Sequence, residues 1–217
     1  MSIFDPSSLT LVYGRMGSGK TDIGNLLSYI GQILRKKDQH ILSNINIRKG
    51  LEYRHIASDR DYLTYRAELE GPITLILDEA NLFQSSKRAT QDSAHFLEQL
   101  TSIIGHFKTS MIYVIQRRKN LLPFLRELSV CEIEKLSKKV AYMKYKGLIF
   151  TLKNIPSCRD LGVEYQRESF ASWKFETNLE DINHHIASNQ MEYEDLIRFL
   201  DYHQPDFESY LLDQDEN

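Results

Sequence analysis

The sequence predicts an α/β fold whose mainly parallel sheet is covered on both faces by helices. Three observations carry that expectation. Residues 73–77 and 111–115 are unbroken apolar runs, the pattern of strands buried on both faces of a sheet. Residues 21–37 place Ile23, Leu26, Leu27, Ile30, Ile33 and Leu34 at helical spacing, directly after a short strand-like run and a glycine-rich turn. Strands and helices then alternate, and parallel strands need such crossover connections.

Taken in order, residues 8–13 form a short β-leaning run that stops at Gly14. The following helix ends near Arg35, Lys36 and Lys37, cations that suit the negative end of its dipole. Residues 40–47 read as one second strand. Residues 48–71 are charged, with a helix expected over about 59–69. Phe96, Leu97, Leu100, Ile103 and Ile104 share one face of a helix expected over 89–105. After Pro123 the pattern changes to short strands at 130–136, 140–145 and 148–152, with Lys146-Gly147 as a hairpin turn. Leu196, Phe199 and Leu200 indicate a C-terminal helix. The expected division is a core at 1–128, a β-rich basic completion of the same domain at 129–177, and an acidic helical tail at 178–217.

A chain of 217 residues is one ordinary domain with a short appendage. Hydrophobic residues at 41% and charged residues at 26% are enough to build a packed core. No apolar run approaches the roughly 18 to 20 residues needed to span a bilayer. The start, Met1 to Pro6, lacks a basic-then-apolar leader. Cys131 and Cys158 cannot make a disulfide framework or a four-thiolate zinc site. A soluble, cytoplasmic protein is therefore expected. The net charge of -3 conceals a polarity: residues 192–217 hold nine acids and one base, which leaves the body at +5.

Gly14-Arg15-Met16-Gly17-Ser18-Gly19-Lys20-Thr21 matches G-x-x-x-x-G-K-[ST] and lies between the first strand and the first helix. Glycines let the backbone curl until its N–H groups face phosphate oxygens, and the helix N-terminus adds to that field. Lys20 reaches the β- and γ-phosphates, and the Thr21 hydroxyl can ligate Mg2+. ATP and Mg2+ are the expected cofactors. The chain is too short for two tandem cores of this kind.

The 73–77 run delivers Asp78 and Glu79 at a strand's C-terminal end, where open α/β sheets place their sites. Asp78 is suited to hold Mg2+ through a water, and Glu79 to polarise the attacking water. Gln116 follows the next buried run and is placed to orient that water. Catalytic candidates are thus Lys20, Glu79 and Gln116.

Together these residues resemble the FtsK/HerA superfamily of DNA-pumping ATPases. The nearest groups are the genome-packaging ATPases of internal-membrane and archaeal viruses and the zonula occludens toxin-like proteins of filamentous phages. Ser43-Asn44 and Gly105-His106-Phe107 are weaker echoes of the same set, and the resemblance covers residues 9–126. It implies a RecA-like (ASCE) sheet, a homo-oligomeric ring, a possible capsid or portal partner, and an arginine that completes the neighbouring subunit's site. Such a finger accelerates hydrolysis roughly a thousand- to a hundred-thousandfold. Arg126 is the first candidate, followed by Arg117, Arg118 and Arg88. The toxin-like proteins carry a membrane span after the core. None is visible here, which favours the packaging type.

Residues 117–153 hold ten bases against three acids, with Tyr142, Tyr145 and Phe150 interleaved. Lys138, Lys139, Lys144 and Lys146 are candidate DNA contacts, able to follow phosphates without reading sequence. They fit double-stranded DNA in a ring, although a solvated sheet face would have the same composition. The acidic tail reads as a solubilising terminus, and its aromatic residues also admit docking on a basic partner. His184 and His185 lack a metal-ligand spacing. Two other functions share the phosphate motif: a thymidine-type nucleoside kinase, and an assembly factor clamped by ATP. The kinase family carries a four-cysteine zinc lasso that this chain cannot supply.

Overall fold

The structure is a computed structural model, and it describes residues 8–34, 39–78, 107–120 and 123–166. The strands are β1 (Leu9–Gly14), β2 (His40–Ser43), β3 (Asn46–Lys49), β4 (Arg54–His55), β5 (Ile73–Leu77), β6 (Thr109–Val114), β7 (Cys131–Ser137), β8 (Val140–Tyr145), β9 (Leu148–Lys153) and β10 (Glu164–Gln166). The α-helices are α1 (Lys20–Leu34), α2 (Asp59–Glu68) and α3 (Pro123–Leu128). The helix expected over 89–105 and the acidic tail lie outside the described residues.

Among the described residues, eight strands form one sheet in the order β4-β2-β5-β6-β1-β7-β8-β9. Pairing is parallel from β4 through β7 and antiparallel across β7-β8-β9. The expected α/β class is therefore observed. The basic 131–153 region continues the same sheet, because β7 lies parallel beside β1 with Thr10 opposite Cys131 and Gly14 opposite Lys135.

All five residues of β5 and all six of β6 are buried, as a sheet covered on both faces requires. β6 begins two residues before the apolar run, at Thr109. Its polar start is satisfied internally: Thr109 Oγ1 lies 2.9 Å from Tyr62 Oη, and Ser110 Oγ lies 3.0 Å from Thr74 Oγ1.

The single strand expected over 40–47 is corrected to two strands in different sheets. β2 pairs with β5, whereas β3 pairs antiparallel with β10 in a separate two-stranded sheet. The break has a local cause. Ser43 Oγ accepts the Ile45 N–H at 3.0 Å, a side-chain turn that competes with the strand ladder. Asn44 meanwhile turns towards the end of β5.

α2 starts where a capping box dictates: Asp61 N–H donates to Ser58 Oγ and Ser58 N–H donates to Asp61 Oδ2, both at 3.1 Å. α3 was not anticipated as a helix. Pro123 supplies its first position, where the missing N–H costs nothing. The expected Lys146-Gly147 turn is present, with both residues at positive φ (50° and 78°), the conformation of a two-residue type I′ hairpin loop.

α1 lies over the sheet and divides the core in two. Ile23 and Leu27 pack with Val12, Val114, Cys131 and Ile133. Leu26 packs with Ile41, Ile45, Ile76, Cys158 and Val163. The second cluster draws the segment after β9 back under the helix, beside the loop that joins β1 to α1.

Candidate nucleotide-phosphate site

β1, β5 and β6 are neighbours in the sheet, so their C-terminal ends present the 14–19 loop, Asp78 and Gln116 along one edge. Gly14 is obligatory at the start of that loop. Its φ is 151°, and a Cβ there would lie 2.3 Å from the Lys135 carbonyl oxygen on β7. Gly19, with φ 87°, turns the chain into α1. Within the loop the Ser18 N–H donates to the Arg15 carbonyl at 3.2 Å, and Lys20 Nζ donates to the same oxygen at 3.1 Å. Arg15, Met16 and Gly17 are exposed, while Ser18, Lys20 and Thr21 are buried. Ser18 Oγ is buried without a hydrogen-bond partner among the described residues.

Thr21 Oγ1 donates to Asp78 Oδ2 at 2.7 Å. Both residues are buried, at 2% and 6% exposure. A hydroxyl oxygen and a carboxylate thus meet next to the loop, a hard-oxygen pair of the kind Mg2+ prefers alongside waters and phosphate oxygens. The residues present fit that ion. Asp78 is itself held by Asn44 through a reciprocal pair: Asp78 N–H donates to Asn44 Oδ1 at 2.8 Å, and Asn44 Nδ2 donates to the Asp78 carbonyl at 3.0 Å. Among the described residues no group of three or more His, Cys, Asp or Glu side chains could hold a metal.

Gln116 is half-buried two residues past β6. Glu79 and Arg88 lie outside the described residues. The remaining arginines differ in environment. Arg117 is exposed. Arg118 forms a bidentate ion pair with Glu132, at 2.5 Å from Nε and 2.8 Å from the second nitrogen, and so is engaged within its own chain. Arg126 sits half-buried on α3 with its Nε buried and without a partner among the described residues.

The hydrogen bond from Arg118 holds Glu132 below the ordinary carboxylate value against its burial, with Arg118 and Lys144 adding attraction. Burial, then the charges of Glu132 and Glu134, pushes Tyr13 up to about 12. Burial lowers the Lys135 ammonium, and the Asp22 carboxylate opposes that shift.

The four candidate DNA lysines separate into two places. Lys138 and Lys139, at the β7-β8 turn, line a cleft against Gly17, Gly19, Lys20 and Thr21. Lys144 stands opposite Glu132 on β8, and Lys146 lies at the far turn with its ammonium 5.4 Å from the Tyr145 ring centroid. Three residues of the site were missed in the sequence. Lys135, 2% exposed, donates to the Lys138 carbonyl at 2.8 Å and braces the β7-β8 turn. Asp22 receives the Cys158 N–H at 3.1 Å. Tyr165 completes the far wall of the cleft. Only the position of Asp22 beside Thr21 could have drawn attention to it.

No family model matches the sequence, and neither does any curated protein. In fold the chain is similar to the genome-packaging NTPase B204 of Sulfolobus turreted icosahedral virus 2. Against the structure of that protein with ATP-γ-S the TM-score is 0.53 at 15% identity, covering 72% of this chain and 100% of that one. Against its complex with AMPPCP the TM-score is 0.50 at 15% identity, covering 71% and 100%. The fold is that of a RecA-like P-loop NTPase. The RecA-like sheet that the motif resemblance implies is thus the fold observed. Among the described residues no helix of this P-loop protein is long and apolar enough to cross a membrane.

Proposed function

We propose that this chain is a Mg2+-dependent ATPase that moves DNA, working as a homo-oligomeric ring in genome packaging. The observation that carries the catalytic part is the 2.7 Å contact between Thr21 and Asp78 beside the phosphate loop. The packaging part is supported by the similarity in fold to a genome-packaging NTPase solved with ATP analogues.

In this reading the loop N–H groups and Lys20 bind and orient the phosphates. Thr21 and Asp78 would hold Mg2+, which would supply positive charge to the bound phosphates. Asn44 keeps the Asp78 backbone still. Gln116 orients the attacking water and Glu79 accepts its proton, while an arginine of the adjacent subunit offsets transition-state charge. Arg126 and Arg117 remain available for that role, whereas Arg118 is committed to Glu132. Lys144 and Lys146 are the lysines left to meet double-stranded DNA without sequence preference, and a portal or capsid partner would anchor the ring.

The test is steady-state ATP hydrolysis by the purified chain, with and without long double-stranded DNA, with thymidine as a competing acceptor. Hydrolysis that DNA stimulates and that rises steeply with protein concentration supports the proposal. Phosphate transfer to thymidine would make the chain a kinase, a reading that the buried cysteines already disfavour because they lie in separate core clusters. Nucleotide binding without turnover would make it an ATP-clamped assembly factor. Glu79→Gln should bind ATP as the wild type does and turn it over at least about a hundredfold more slowly.

A further inference from the structure

A cleft of about 540 Å3 opens from the phosphate loop on the side of β1 that faces β7. Asp78 and Gln116 lie on the other side of β1, after β5 and β6. A polyphosphate seated on the loop with its terminal phosphate towards Asp78 therefore runs its other end into this cleft. The volume is that of a small-molecule site and exceeds what phosphates already cradled by the loop require. Its far wall is built by residues 155–165, which follow the last strand of the main sheet.

That wall is fixed to the loop. Asp22, in the first turn of α1, accepts the Cys158 N–H at 3.1 Å, the Ser157 hydroxyl at 3.4 Å and the Tyr165 hydroxyl at 3.5 Å. Cys158 Sγ donates to the Asp22 carbonyl at 2.9 Å. Cys158 and Val163 are buried in the core cluster beneath α1. The half-buried Ile155 and Tyr165 and the exposed Arg159 line the cleft that results. An apolar side chain, an aromatic ring and a guanidinium are the surfaces on which a flat heteroaromatic base stacks.

We infer that residues 155–165 receive the nucleoside end of the nucleotide, with the base held by Ile155, Arg159 and Tyr165 and the phosphates by the loop. The inference rests on reading the loop as a nucleotide site. It assigns nucleotide affinity to a segment distant in sequence from the phosphate motif, with Asp22 as the residue that positions it.

The experiment compares Mg-ATP with inorganic tripolyphosphate, which has no base, by titration calorimetry on the full chain. Tyr165→Ala should weaken ATP about five- to a hundredfold, the range for loss of one base-aromatic stack, and leave tripolyphosphate within about twofold. Tyr165→Phe should stay near wild type for both. Arg159→Ala, an exposed position that folding does not need, should weaken ATP alone and by less. Equal loss of both ligands, or unchanged ATP affinity in Tyr165→Ala and Arg159→Ala, would overturn the inference. If wild type binds neither ligand, the phosphate-site reading itself fails, a result distinct from the others.

Discussion

The Asp22 carboxylate accepts the backbone N–H of Cys158, 136 residues further along the chain, at 3.1 Å. One side chain thereby joins the helix that starts at the phosphate loop to the segment that follows β9. Ser157 and Tyr165 reach the same carboxylate, so the tie is a small network with one acceptor at its centre.

Asp22→Ala should consequently destabilise the fold and loosen the cleft while leaving the phosphate motif intact. Hydrogen bonds to a charged group contribute about 1.5–3 kcal/mol each when made directly, and the longer two here contribute less. A loss of about 2 kcal/mol in denaturant unfolding is expected, together with weaker ATP binding. Unchanged unfolding in that variant would show that the segment is held by its buried apolar residues alone.

Asn44→Ala removes the side-chain amide that bonds both the Asp78 N–H and the Asp78 carbonyl. The cost of leaving buried N–H and C=O groups unmade is about 1–3 kcal/mol. Because Asn44 acts through Asp78, the informative readout is metal dependence. The Mg2+ concentration giving half-maximal hydrolysis should rise several-fold with little change in tripolyphosphate affinity. An unaltered Mg2+ profile would reduce Asn44 to a purely structural role.

The Arg118–Glu132 pair sets a pH dependence whose sign follows from the lowered Glu132 value. A carboxylate with a folded value below its unfolded one, near 4.3, stabilises the fold fully above that unfolded value. The contribution fades as pH falls through the folded value. Glu132→Gln should thus be less stable than wild type at neutral pH, and the gap between the two should narrow as pH falls below the unfolded value towards the lowered folded one. A gap that stays constant into acid would mean that the charge of Glu132 contributes nothing.

What could be read from the sequence was whatever is local in it. The 14–21 motif is contiguous, and the 73–77 run is apolar enough to mark a buried strand leading straight to Asp78. Long-range partners left no such mark. The break after Ser43 begins with the local Ser43–Ile45 turn, but the partner that then holds Asn44 is Asp78, 34 residues away. Thr109 and Ser110 look like loop residues until Tyr62 and Thr74 supply their hydrogen bonds. Lys135 looks like one more surface lysine, yet it is buried behind Gly19 because β7 lies parallel beside β1. Lys138 and Lys139, grouped with Lys144 and Lys146 by charge, are separated from them by the direction of a hairpin.

If Thr21 and Asp78 form the metal-binding half of a hydrolytic site, Asp78→Asn should abolish it. Hydrolysis of ATP by wild type and variant would be measured across a Mg2+ titration, with nucleotide binding measured in parallel. Wild type should hydrolyse ATP in a Mg2+-dependent manner. The variant should lose at least about a hundredfold in rate, about 2.7 kcal/mol of transition-state stabilisation, with nucleotide still bound through the loop. Equal rates and equal Mg2+ dependence in the two proteins would contradict that role for the pair.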